Sequence, residues 1–173
     1  MTIKTLYANK NSYSNKNGVP VERDFDSIKY IVIHYTGNKG DTAKNNATYF
    51  ANSNTRSAGA HFFVDQNGEI YKSCKIKWIA WSVGGVYTKQ SNGSTYYGKC
   101  TNANSISIEL CDISDKDPSK NQIKATNELI KYIKEKCPNA KTVIRHFDVN
   151  SKICPSRFID NDKWKALKKK ITK

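Results

Sequence analysis

Residues 29–33 read K-Y-I-V-I, and from Tyr30 onward no polar residue interrupts the run. A strand with one wet face alternates apolar and polar residues. A strand covered on both faces reads as a continuous apolar run. This stretch therefore predicts a fully buried strand, and such a strand needs packed layers above and below it. The rest of the chain offers them. Asp41 is placed to cap a helix carrying Ala43, Ala47, Phe50 and Ala51 on one face. A-H-F-F-V-D, a turn through Gln66-Asn67-Gly68 and E-I-Y-K read as a hairpin, because Asn-Gly favours the tight turns that join antiparallel strands. Ser105–Cys111 alternates, with Ile106, Ile108 and Leu110 on one face and Ser107 and Glu109 on the other. Asp117-Pro118 opens a helix with Ile123, Ile130 and Ile133 inward, ending before Pro138. Thr142, Val143 and Ile144 form a short strand. Asp160 caps a last helix that buries Trp164, Leu167 and Ile171. Strands alternating with helices, plus one hairpin, predict an α/β fold with a central mixed β-sheet flanked by helices. At 173 residues the chain is expected to be a single domain, 1–173. Residues 1–26 are polar and read as an irregular surface arm. Residues 160–173 form a Lys-rich C-terminal helix.

Two strands end in histidine. His34 closes the Tyr30–Ile33 run, and His146 follows Val143-Ile144-Arg145. In α/β sheets, ligands gather beyond the carboxyl ends of the strands. After His146, the Asn150-Ser151 pair and Pro155 mark a loop that carries Lys152 and Cys154. Two imidazoles and a thiolate are zinc donors, and three protein ligands leave a fourth position for water. A carboxylate beside metal-bound water can act as general acid–base, which makes Glu109 a candidate. An ammonium such as Lys152 can hold an oxyanion. From spacing alone, the competing readings are separate core histidines, a solvent-facing Glu109 and one lysine among many.

These residues resemble those of the zinc-dependent N-acetylmuramoyl-L-alanine amidases of phage endolysins and bacterial autolysins, which share a fold with peptidoglycan recognition proteins. I-V-I-H-Y-T resembles the family's first strand and S-A-G-A-H-F-F-V-D-Q-N-G-E-I-Y its central hairpin. S-I-S-I-E-L resembles its glutamate strand, and R-H-F-D with K-I-C-P its closing motif. The resemblance covers roughly residues 28–160. It implies Zn2+ held by His34, His146 and Cys154, with Glu109 as acid–base and Lys152 as auxiliary cation. It implies hydrolysis of the amide between N-acetylmuramic acid and L-alanine in peptidoglycan. Ala60 stands where some relatives carry a catalytic Tyr, which leaves proton transfer to Glu109. The chain reads A-W-S-V-G where relatives often read A-W-H-A-G, so Ser82 replaces a His. His61 is expected behind the ligands or in the core, and not on the metal. The Gly- and Ser-rich stretch 83–104, with Tyr87, Tyr96 and Tyr97, is expected to line the substrate groove.

Charge adds a partner. The formal net charge of +14 favours a polyanionic partner or surface (nucleic acid, anionic lipid or an anionic cell-wall polymer), with a solvated Lys-rich surface as the competing reading. No nucleic-acid motif is present, so nucleic acid is not expected as a partner. No apolar run is long enough to insert in a membrane, and the N-terminus has no apolar signal core. The expectation is synthesis in the cytoplasm and action on the cell wall, with no wall-binding domain visible. Five cysteines without a C-x-x-C pair predict free thiols. Three further readings stand beside the zinc amidase, of which a basic nucleic-acid binder is suggested by charge alone; the other two concern the site. One is a non-catalytic peptidoglycan-binding module, which the presence of Cys154 disfavours. The other is a Cys154–His146 nucleophile, which would survive chelation.

Overall fold

The structure is a computed structural model and describes residues 1–84 and 94–173. In chain order the strands are β1 (Ile3–Thr5), β2 (Asn15–Lys16), β3 (Val19–Pro20), β4 (Tyr30–Tyr35), β5 (Phe62–Val64), β6 (Ile70–Lys72), β7 (Ser105–Leu110) and β8 (Thr142–Arg145). The α-helices are α1 (Ala43–Asn52), α2 (Lys120–Lys136), α3 (Phe147–Asn150) and α4 (Asn161–Ile171). The central sheet has six strands in the order β1-β6-β5-β7-β4-β8. β5 and β6 pair antiparallel, as the Asn-Gly turn predicts, and the other neighbours pair parallel. The sheet is therefore mixed.

β4 is covered on both faces. Ile31 and Ile33 face one way, with Ile106, Ile108 and Val143. They pack under Leu129, Ile130 and Ile133 of α2 and Trp164, Leu167 and Ile171 of α4. Val32 and Ile144 face the other way. On that second face α1 lays Ala43 and Ala47 against Phe63. α1 covers the β5 end and leaves the carboxyl ends of β4, β7 and β8 open. This is what positions the site.

Two caps lie slightly away from their expected places. Thr42, not Asp41, caps α1, accepting from the Asn45 N–H. The Asp41 carboxylate instead accepts from Asn46 Nδ2 at 2.6 Å and from the Asp112 N–H at 2.7 Å, tying α1 to the end of β7. Ser119 caps α2, two residues past the Asp117 expected to open it, because its hydroxyl reaches the Gln122 N–H. Asp160 caps α4 as expected.

The N-terminal arm is the larger correction. Residues 1–26 are not an irregular surface strand of chain. β1 pairs parallel with β6 and makes the edge of the sheet. β2 and β3 form a small hairpin, and Tyr13 and Glu22 bridge to Ala80 and Trp78. Strands of two or three residues are too short to show periodicity, which hides them in a polar sequence. What holds the arm is partly backbone pairing and partly a small cluster of Ala8, Tyr13, Cys74, Trp78 and Ala80. The remaining anchor is Arg23. Its guanidinium is buried and donates to the carbonyls of Asn102, Ser105 (2.8 Å) and Ile76 (3.3 Å). Among the described residues no carboxylate meets it, and burial lowers its pKa to about 10, so it stays charged at neutral pH.

Candidate metal centre

Parallel pairing sets the site in a row. In register, His34 of β4 lies opposite Glu109 of β7. On the other side Ile33 lies opposite Arg145, so the next residue, His146, continues beside His34. Its N–H donates to the Ile33 carbonyl at 3.2 Å, one step beyond the strand. Neighbouring strands lie about 4.8 Å apart, so three side chains on one face of three strands converge by geometry alone. The rings of His34 and His146 meet edge to face with centroids 4.7 Å apart.

Cys154 arrives by a short return loop. α3 makes one turn, Ser151 reverses the chain with φ 64°, and Phe147 N–H donates to the Cys154 carbonyl at 2.9 Å. The loop's base is held by Arg145. It is buried and pairs with Asp148 at 2.6 Å, and it donates to the carbonyls of Phe158 and Ile159 at 2.8 and 2.9 Å. Asn150 braces the inside: its amide lies 3.2 Å from His146 Nε2, and its oxygen accepts from the Lys152 N–H. Neither Arg145 nor Asn150 was singled out from sequence. The R-H-x-D spacing is a usable signal for the first, since Arg145 and Asp148 bracket one helical turn. The second has none.

Ligand atoms of His34, His146 and Cys154 lie within 4.8 Å of one another, and all three residues are buried. His34 Nδ1 is 3.8 Å from Cys154 Sγ and 3.9 Å from Glu109 Oε1. Tetrahedral zinc with Zn–N near 2.0–2.1 Å and Zn–S near 2.3 Å puts N and S about 3.6 Å apart, so the donors fit. His146 Nδ1 is buried with no partner, which also fits a lone pair meant for a cation. Burial and the neighbouring imidazole hold His34 neutral, far below its ordinary pKa. Burial and then Lys152 bring His146 down to about 3. Burial and the Glu109 carboxylate push the Cys154 thiol up to about 12. A dication among these groups deprotonates a coordinating thiol outright. The same shift argues against Cys154 as a free nucleophile, because the thiolate is the reactive form.

Glu109 is pushed up to about 7, chiefly by burial, with Lys152 pulling it back. Its Oε2 is buried without a partner. Lys152 is exposed at the rim. A cleft of about 430 Å³ is lined by His34, Glu109, Lys152 and Cys154, with Trp81 and Ile153 on its walls. It runs into a second cleft of about 780 Å³ below α1, and Thr36, Glu109 and Lys152 line both.

His61 is elsewhere, fully buried, as expected of a core residue. Its Nδ1 lies 3.1 Å from the Ser107 N and 3.0 Å from the Ser107 hydroxyl, and its Nε2 lies 3.0 Å from the Trp78 carbonyl and 3.1 Å from Arg23 Nη2. Neither ring nitrogen is left for a metal. Tyr96 packs edge-on against Tyr30 and Tyr97 is exposed; neither lines the two clefts. Tyr87 lies outside the described residues.

Residues 24–157 match the N-acetylmuramoyl-L-alanine amidase family. The chain belongs to that family. All five candidate site residues fall inside the match. Among curated amidases, the chain is 33% identical over 140 residues to CwlH of Bacillus subtilis, covering 80% of this chain and 50% of that one. It is 29% identical over 141 residues to BlyA of Bacillus subtilis, covering 78% and 38%. The chain thus spans about two fifths to three fifths of the length of the curated amidases it matches. Among solved structures, the catalytic domain of XlyA aligns with a TM-score of 0.73 at 25% identity over 99% of both chains. A mutant endolysin from Bacillus subtilis aligns with a TM-score of 0.68 at 28% identity, again over 99% of both.

Proposed function

We propose that residues 1–173 act as one catalytic unit, a zinc-dependent N-acetylmuramoyl-L-alanine amidase of endolysin or autolysin type. Its substrate is the amide between N-acetylmuramic acid and L-alanine of bacterial peptidoglycan. The observation that carries this reading is the His34–His146–Cys154 group beside a buried carboxylate at the floor of an open cleft. Family membership supports the same chemistry.

His34, His146 and Cys154 would hold the metal, and a zinc ion there supplies a water of lowered pKa and a Lewis acid for the scissile carbonyl. The chain's own residues do the rest. Glu109 takes the proton of the attacking water; its raised pKa suits it to accept and then return that proton near neutral pH. It returns the proton to the departing alanine amine. Lys152 sits at the rim and offsets the negative charge that grows on the carbonyl oxygen. Arg145 and Asn150 hold His146 and the Cys154 loop in place. The surface charge of +14 draws the protein to anionic wall polymers, most strongly through the lysines of α4. Among the described residues no helix is long and apolar enough to cross a membrane. The proposed site of action is the cell wall.

Release of new alanine N-termini from purified walls, measured alongside metal content, tests the proposal. The expected result is one zinc per chain and alanine release abolished by chelation. Alanine release that persists in the chelated protein would favour the thiol reading. Wall binding without release would favour a non-catalytic module.

A further inference from the structure

Buried polar side-chain atoms in folded proteins nearly always find a partner, and each one that does not needs a reason. Among the described residues, four such atoms belong to residues that line the metal cleft: His34 Nε2, Glu109 Oε2, Thr36 Oγ1 and Ser82 Oγ. The first two belong to the chemistry already assigned. The hydroxyls of Thr36 and Ser82 do not. Each backbone is firmly placed: Thr36 N–H donates to the Leu110 carbonyl at 3.2 Å, and Ser82 N–H to Asn102 Oδ1 at 3.0 Å. The residues are thus held by the fold while their side-chain oxygens are left unbonded.

We propose that Thr36 and Ser82 are substrate-binding residues, whose hydroxyls bond the amide and carbonyl groups of the muramoyl peptide around the scissile bond. This rests on the amidase reading. A hydroxyl offers one donor and two acceptor positions, so it matches either end of a peptide unit. Thr36 lines both clefts, as do Glu109 and Lys152, so a peptide spanning the two passes it. Ser82 lines the metal cleft and not the larger one, as do Trp81 and the exposed Ile153. Ser82 therefore contacts the substrate close to the reacting carbonyl. Thr36 contacts it where the chain turns into the larger cleft.

An unpartnered hydroxyl has a distinctive mutational signature. Replacing it with an apolar group of similar shape removes nothing from the folded protein, and the substitution is neutral or stabilising. The loss appears only when ligand is bound. The test uses Thr36→Val, Thr36→Ser and Ser82→Ala, each alone and in a Glu109→Gln background that binds without turnover. The probe is N-acetylmuramoyl-L-alanyl-D-isoglutamine. Hydrolysis is followed for the active proteins and affinity by calorimetry for the Glu109→Gln set. Zinc content and the urea midpoint are measured for all.

The expected result is a loss of roughly 3–10-fold in kcat/KM and in affinity for Thr36→Val and Ser82→Ala, the size of one neutral hydrogen bond. Thr36→Ser stays within about twofold of the parent, and zinc content and urea midpoint are unchanged. Affinity and kcat/KM within about twofold of the parent for both apolar variants overturn the proposal. So does a loss that tracks lost zinc or a lowered midpoint. Hydroxyl-dependent binding without hydrolysis by the parent would remove the amidase reading and leave Thr36 and Ser82 as peptide-binding residues of a non-catalytic site. A parent that neither binds nor cleaves removes both.

Discussion

Replacing Arg23 with Met is expected to destabilise the protein by about 3–5 kcal/mol. The figure follows from what the guanidinium does. It donates to three main-chain carbonyls, on Asn102, Ser105 and Ile76. Hydrogen bonds from a charged donor are worth about 1.5–3 kcal/mol each, or roughly 5–9 in all. Against this stands the burial of an unpaired cation. The pKa lowered to about 10, from 12.5, corresponds to roughly 3 kcal/mol. The remainder agrees with the cost of removing one member of a buried charged network. Methionine refills most of the stem's volume, so the loss falls on the stranded carbonyls. Urea unfolding checks it: at about 1–3 kcal/mol per molar, the midpoint drops by 1 M or more. Arg23→Lys keeps the charge but loses the planar fork, and should fall between parent and Met. Zinc content of the folded protein should not change, because Arg23 touches no candidate ligand. An Arg23→Met protein within about 1 kcal/mol of the parent refutes the reasoning and returns residues 1–26 to a decorative arm.

Cys154→Ser should reduce zinc to well below one per chain by elemental analysis after dialysis; tight stoichiometric zinc in that variant removes Cys154 from the ligand set. Glu109→Ala should keep zinc and lose about 10²–10⁴-fold in alanine release, as general acid–base catalysis implies; zinc lost with activity removes that role. His61 is held neutral with a pKa of about 3 by burial and the nearby Arg23 cation, against about 6.5 when unfolded. The unfolded chain therefore binds the extra proton first, and this contribution to stability is present above pH 6.5 and lost as pH falls toward 3. At pH 5 it amounts to about 2 kcal/mol, so the parent should lose that much more than His61→Gln between pH 7 and 5 in urea unfolding; parallel profiles contradict it. Binding to walls should fall steeply from physiological salt, where charges reach about 8 Å, to 1 M, where they reach about 3 Å. Changing Lys168, Lys169 and Lys170 to Gln should have a similar effect in co-sedimentation, with soluble muropeptide cleavage unchanged; a flat salt profile leaves those lysines as mere solubilisers.

Most of the sheet was legible because its signals are local and strong. Tyr30–Ile33 and Ser105–Leu110 declare their burial through the run or alternation of their apolar residues, and Asn67-Gly68 declares the antiparallel pair. The site was legible for a related reason. A residue at the carboxyl end of a parallel strand sits beside its counterparts on neighbouring strands, so three correctly placed strand ends bring His34, Glu109 and His146 together. Register was the missing quantity, and the family motifs stood in for it. The loop from His146 to Cys154 needed Arg145 and Asn150 as well, and their role lies in contacts that no spacing rule reports.

The arm was illegible because its stability is not its own. β1, β2 and β3 carry almost no apolar pattern, and the arm's bonds to the rest of the fold go to β6, to the segment before Trp81 and, through Arg23, to the start of β7. Arg23 in a polar stretch reads as solvated, yet it is the residue that ties that stretch to the strand bearing Glu109. Its carbonyl partners on Asn102 and Ser105 frame the entry to β7, while Asn102 Oδ1 also receives the N–H groups of Ser82 and Val83. One connected set of bonds therefore runs from the arm, through Asn102, to the wall of the metal cleft at Ser82. The arm is a buttress for the cleft, and loss of Arg23 should loosen Ser82 before it disturbs His34. Hydrogen exchange reads this directly: in Arg23→Met the amides of Ser82 and Val83 should exchange faster by a larger factor than those of Ile33 and His34, and equal acceleration throughout would reduce Arg23 to a contributor to global stability alone.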